Sequence, residues 1–240
     1  MKRLFLLFLL IVVYNITSFS QQQHVGWLAS MNTIKLNNKL SIHNDIQLRS
    51  TDEFKHTQSF LFRAGLNVAV KKWMVVTGGY AYVSNRRSVG DVTGYLPEHR
   101  FWEQVTMNHK TGRAFTAHRF RLEQRFLPNV VVENNKLESD GSHYANRIRY
   151  FMRNVLPLNK SDKFTEGVFL ALQNEVFFNF GNKANVNGEF FDQNRLYLAA
   201  GYRISPEFDL EAGYLNLYLN GRGSAWSNVH VAQLAGYLRL

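Results

Sequence analysis

The stretch His118-Arg119-Phe120-Arg121-Leu122-Glu123-Gln124-Arg125-Phe126 decides the fold class. Phe120, Leu122 and Phe126 share one parity with His118 and Gln124, while Arg119, Arg121, Glu123 and Arg125 share the other. Successive side chains of an extended chain point to opposite faces, so this spacing means a strand with one apolar and one charged face.

The alternation recurs along the chain. Ile148, Tyr150 and Met152 alternate with Arg147, Arg149, Phe151 and Arg153. Val168, Leu170, Leu172, Val176 and Phe178 alternate with Phe169, Ala171, Gln173, Glu175, Phe177 and Asn179. Leu40, Ile42, Ile46 and Leu48, and later Phe60, Phe62, Leu66 and Val68, repeat it nearer the start, although Asn44 and Asn174 interrupt apolar rows. Such segments run to about a dozen residues, whereas strands of soluble proteins average about five or six. Tilted, a strand of about 9–11 residues crosses a bilayer.

Strands are expected near 25–36, 39–50, 58–70, 73–84, 98–109, 114–127, 145–155, 166–180, 190–204, 208–219 and 228–240. Tight turns at Asn37-Asn38, Lys71-Lys72, Lys110-Thr111-Gly112 and Ser205-Pro206 alternate with longer loops near 51–57, 85–97, 128–144, 181–189 and 220–227. Short turns at one end and long loops at the other are the pattern of an outer-membrane barrel. The connection near 156–165 is long for its side. Arg86-Arg87 and Lys136 fall in expected outer loops, where they are either solvated or meet lipopolysaccharide phosphates. Eleven segments conflict with the even strand number of bacterial single-chain barrels, so an all-β, transmembrane up-and-down antiparallel β-barrel of ten or twelve strands is expected. The chain ends on an alternating strand, Leu234, Leu238 and Leu240 against Gln233, Tyr237 and Arg239. Trp27, Trp73, Tyr82, Trp102, Tyr150, Tyr202, Tyr214 and Tyr237 fit interfacial girdles or ordinary sheet enrichment in aromatics.

The opening residues indicate export. Lys2 and Arg3 precede the apolar run Leu4 to Tyr14, and Ser18-Phe19-Ser20 supplies small residues before Gln21. This is the order of a secretory signal cleaved after Ser20, leaving 21–240 as one barrel domain. The apolar run falls short of the roughly 20 residues a helical anchor needs. With Cys 0, neither a disulfide framework nor a lipoprotein junction can form. The net charge of +10 suits anionic neighbours, namely outer-membrane lipid and lipopolysaccharide or a small anionic solute. Nucleic acid is not an expected partner of an exported chain, while barrel-assembly machinery is one during biogenesis.

Several phrases resemble domain-of-unknown-function family 2490, which is common in Bacteroidota. They are Glu98-His99-Arg100-Phe101-Trp102-Glu103-Gln104, Arg119 to Phe126, Arg147-Ile148-Arg149-Tyr150, Asn174-Glu175-Val176-Phe177 and Phe191-Asp192-Gln193-Asn194-Arg195-Leu196-Tyr197, with Trp27 early and Gly213-Tyr214 late. The resemblance spans nearly the whole mature chain and implies an outer-membrane barrel. It implies no catalytic residue and no substrate.

The charged residues form the candidate site: Arg100, Glu103, Arg119, Arg121, Glu123, Arg125, Arg147, Arg149, Arg153, Glu175 and Arg195. Arg63, Asp45 and Glu211 fall on comparable faces. In a barrel that face is the lumen. Arginine suits two roles there, a cationic path or binding surface for anions and a mesh of guanidinium forks bridging carboxylates. A soluble exported β-sandwich binding an acidic ligand is the alternative. An outer-membrane enzyme acting on lipid is a third reading, resting on Glu98, His99 and Glu103, of which His99 and Glu103 share a face. The histidines lack metal-ligand spacing and no GxSxG elbow occurs, so no catalytic, metal or cofactor-binding residue is assigned and no cofactor is expected. Gly78-Gly79 is read as easing curvature or close packing.

Overall fold

Each alternating segment forms a strand, and every strand pairs with its chain neighbours. The computed structural model describes residues 21–159, 164–223 and 225–240; the signal-like segment lies outside them. The strands are β1 (Gln21–Lys35), β2 (Leu40–Thr51), β3 (His56–Lys71), β4 (Met74–Val89), β5 (Val92–Thr111) and β6 (Ala114–Glu133). They continue as β7 (Lys136–Pro157), β8 (Gly167–Phe180), β9 (Phe191–Ser205), β10 (Phe208–Asn220) and β11 (Trp226–Arg239). Consecutive strands are antiparallel and the sheet closes on itself between β1 and β11, which excludes the sandwich.

Closure resolves the parity conflict. β1 and β11 pair in parallel, from Gln21↔Ser227 to Thr33↔Arg239. Parallel ladders satisfy backbone groups as antiparallel ones do, with slanted bonds, so an odd number closes without an exposed edge. Among the described residues the strand count is eleven, and β1 is a full strand.

The outside is apolar and the inside charged, the inverse of a soluble domain. Phe60, Leu66, Phe120, Ile148, Leu170 and Leu198 face outward, while Arg63, Glu98, Arg121, Glu123, Arg147 and Glu175 are buried. Asn44 and Asn174 do lie on the outer face, and the alternation around them holds. Each amide finds a partner across the sheet: Asn32 donates to Asn44 at 3.2 Å, Asn174 to Asn194 at 3.2 Å, and Asn216 to Asn228 at 2.7 Å. A polar group facing an apolar medium is tolerated when so bonded. The aromatics divide: Trp73, Tyr202 and Tyr214 are exposed, whereas Trp27 and Trp102 point inward and are buried. Tyr237 also faces the interior, where its hydroxyl donates to Glu211.

Two expected loops are strands. β4 and β5 continue to a turn at Gly90-Asp91, and β6 and β7 to one at Asn134-Asn135. β5, β6 and β7 are 20, 20 and 22 residues long, well beyond the roughly 9–11 that span a bilayer. At these ends most side chains are exposed or half-buried, Leu96 and Leu137 being buried, so strict apolar alternation is lost while the backbone ladder persists. Arg86 and Arg87 therefore lie on β4 and Lys136 begins β7. Asn134 and Asn135 both adopt positive φ (49° and 61°), the conformation a two-residue type I′ hairpin demands.

Trp102 shows why β3 and β4 carry paired glycines. Gly65 and Gly79 face each other across the ladder, and the indole lies over both. A Cβ on Gly79 would overlap the Trp102 ring and the Ala64 carbonyl, whereas one on Gly78 meets nothing within 4 Å. Gly79→Ala should therefore cost about 1–3 kcal/mol, and Gly78→Ala no more than about 0.5 kcal/mol. Urea unfolding of the two variants checks this, and equal midpoints would contradict it.

Candidate functional site: an arginine-walled interior

The network starts on β5 and β6, whose inward parities place Arg100 opposite Arg125 and Gln104 opposite Arg121, with Glu98 and Glu123 on the same inner face. Arg100 donates to Glu98 through Nε (2.7 Å) and Nη2 (2.9 Å), and Arg125 Nε donates to the same carboxylate at 2.7 Å. Glu123 accepts from Arg147 at 2.7 Å and from Arg149, with Arg121 at 3.8 Å and Arg100 at 3.9 Å. Glu175 on β8 accepts from Arg149 at 2.7 Å and Arg119 at 2.8 Å. Arg121 directly faces Arg149 across the ladder and is relieved by Gln104 Oε1, which accepts from Arg121 Nε at 2.9 Å. Beyond these, Arg63 pairs with Asp45 at 2.6 Å, Arg147 with Asp192 at 3.0 Å, and Arg153 with Glu211. Shared carboxylates with charge-assisted forks make a cross-braced wall.

The inner side of β1, β9, β10 and β11 differs. Val25, Trp27, Tyr197, Leu215, Leu217, Val229 and Val231 form one apolar cluster, joined by Phe169 of β8 and by Phe164 from the connection after β7. Phe164 packs edge-on against Phe169 with centroids 5.9 Å apart, and Phe169 covers Gly201. The Arg203 guanidinium lies 4.3 Å over the Phe164 ring and also pairs with Asp209 at 2.7 Å. This accounts for the long connection at the short-turn end, because it folds an aromatic ring into the barrel.

Between the two walls lies a cavity of about 580 Å³. Its lining begins at Gln23, Gln58, Arg87 and Leu219 near the loop end and reaches Met31, Arg153 and Tyr237. Phe164, Phe169, Arg203 and Asp209 lie beyond it, toward the short-turn end. Ten arginines line it (Arg49, Arg63, Arg87, Arg100, Arg119, Arg125, Arg147, Arg149, Arg153 and Arg195) against three carboxylates, Asp45, Glu98 and Glu175. Glu123 and Glu211 are buried in the wall behind. The space is strongly cationic.

The structure brings together Arg100, Arg119, Arg121, Glu123, Arg125, Arg147, Arg149, Arg153, Glu175 and Arg195, all facing inward. Glu103 is a correction: it points outward and accepts from Gln124 Nε2 at 3.0 Å. Arg100 and Glu103 are three residues apart on one strand, so both cannot face the lumen. Glu98, two residues before Arg100, takes the inward place. Arg49 also belongs to the wall and shares the parity of Asp45, which was signal enough. Asp192 carries no such signal, because the β8–β9 register shifts next to it. His99 faces outward with Glu103 and hydrogen-bonds Tyr80, and His118 and His230 likewise bond Tyr150 and Tyr214. His99 and Glu103 thus sit on the apolar exterior, apart from the cavity.

A family model described as "Protein of unknown function (DUF2490)" matches residues 25–228. No curated protein matches the chain. One solved structure, titled "NanC porin structure in rhombohedral crystal form", is similar at 11% identity, covering 85% of this chain and 93% of that chain with a TM-score of 0.48.

Proposed function

The chain belongs to the DUF2490 family of proteins of unknown function, and from that premise we propose that it is an outer-membrane barrel serving as a blind cup for small anions. Residues 1–20 act as a cleaved export signal and 21–240 form the single barrel domain. The apolar exterior supports the membrane reading, since exposed apolar surface of this extent suits hydrocarbon and not water. Lipid and lipopolysaccharide are then its surroundings, and assembly machinery its partner during insertion.

One observation carries the anion reading: ten arginines surround the cavity against three carboxylates. Desolvated guanidinium groups in such excess attract anions and repel cations. The cross-bracing favours binding over free passage, because the guanidinium groups are held in the wall and Phe164 and Phe169 lie beyond the cavity toward the short-turn end.

Cell fractionation followed by planar-bilayer recording tests this. The protein should appear in the outer-membrane fraction, change its gel mobility on boiling, and conduct almost nothing. Titration of the folded protein with acetate should show binding that a matched organic cation lacks. Folded protein recovered from the periplasm without detergent would overturn the membrane reading. A steady native conductance would overturn the blind cup.

A further inference from the structure

Three of the ten cavity arginines stand outside the mesh: Arg87, exposed at the loop end, and the half-buried Arg49 and Arg195. Among the described residues neither Arg49 nor Arg195 makes an ion pair; Arg49 donates to Gln47 Oε1 at 2.7 Å and Arg195 to Gln193 Oε1 at 3.1 Å. A guanidinium carries five N–H donors, and the buried Nε of each has no acceptor. Both lie over the Trp27 ring, 4.1 and 5.2 Å from its centroid, and Arg195 also lies 4.6 Å over Phe177. Stacking fixes the plane of each group and leaves Nη1, which is neither hydrogen-bonded nor buried, available. Both residues line the cavity.

The surface beside them is aliphatic. Leu217 pairs with Arg195 across the ladder, Val229 pairs with Leu217, and Val25 joins them from β1. All three line the same cavity. Contact with lipid cannot explain an apolar surface that faces inward. An inorganic anion would satisfy the arginines and leave against water the small exposed edges of these side chains, 4–6% of each.

We propose that the loop end of the cavity holds a subsite for an organic carboxylate with an apolar body. The carboxylate lies against Arg49 and Arg195, and the body against Val25, Leu217 and Val229. The proposal rests on the anion-cup reading and narrows it to one ligand class.

The test uses the full folded barrel in amphipol, which avoids competing detergent micelles, with acetate, hexanoate and 1-hexanol as probes. Calorimetry and the fluorescence of Trp27 and its fellow tryptophans report binding. Hexanoate should bind about tenfold or more tighter than acetate, because each buried methylene adds affinity, and hexanol should not bind detectably. Exchanging both arginines, Arg49→Gln with Arg195→Gln, should weaken hexanoate about tenfold or more through loss of charge-assisted bonds. Neither exchange strands a carboxylate, so mobility on unboiled gels should not change. Leu217→Asn should abolish the preference for hexanoate over acetate. If hexanoate binds no tighter than acetate, the subsite is wrong and the anion cup survives. If neither carboxylate binds the folded barrel, both fall. Undiminished hexanoate binding in the double variant would also overturn the subsite.

Discussion

Replacing Glu123 with alanine is expected to lower the unfolding free energy by about 3–5 kcal/mol, the usual result of stranding a buried charge partner. Glu123 is 1% exposed and lies within 4 Å of four guanidinium groups, those of Arg100, Arg121, Arg147 and Arg149. Its loss leaves like charges facing one another, Arg121 against Arg149 above all, with Gln104 on Arg121 and Glu175, 2.7 Å from Arg149, to offset them. Glu123→Gln keeps an acceptor for Arg147 and removes the charge, so its cost should fall between alanine and wild type. Glu103→Ala is the control. The same residue type on the outward parity, bonded only to Gln124, should cost no more than about 0.5 kcal/mol. Urea titration of the barrel in detergent, followed by tryptophan fluorescence, reads all three. Equal midpoints for the Glu123 and Glu103 alanine variants would mean that the guanidinium lattice does not hold the barrel together.

The contrast between Glu123 and Glu103 also shows what the sequence exposes and what it hides. Within one strand parity is rigid, so Arg119, Arg121, Glu123 and Arg125 could be assigned to one face from spacing alone. Which parity faces inward on β5 is harder to read, because its inner row contains Trp102 and its outer row contains His99 and Glu103. Strand existence was legible wherever apolar and polar residues alternate strictly, and illegible at 85–97 and 128–144, where that alternation is lost although the ladder continues. Closure was hidden for another reason. The pairing of β1 with β11 joins residues at opposite ends of the chain, and no local pattern records it. Arg49 and Arg195 could be seen as inward-facing, yet their lack of carboxylates follows only from three-dimensional placement.

Phe164→Ala is expected to turn a nearly silent barrel into a conducting one. Phe164 enters the lumen from the connection between β7 and β8, rests edge-on against Phe169, and is held by Arg203, whose Nη1 donates to its backbone carbonyl at 2.8 Å. Removing the ring deletes one layer of the stopper and costs about 3–5 kcal/mol, as for other buried phenylalanines. The ladder of eleven strands is untouched by this change, so the barrel should still close and still shift on boiling. The path so opened would lead from the arginine-lined cavity past Arg203 and Arg239, both paired with the single carboxylate of Asp209. Cations would meet unbalanced positive charge at both stages, and the reversal potential should therefore report anion preference. Arg149→Ala is not a substitute test, because it would disturb Glu123 and Glu175 as well as the pathway. If Phe164→Ala is folded, destabilised and still silent, the seal lies at the cavity floor, where Arg153 and Tyr237 meet Glu211. A steady current through the unaltered protein would show that Phe164 closes nothing.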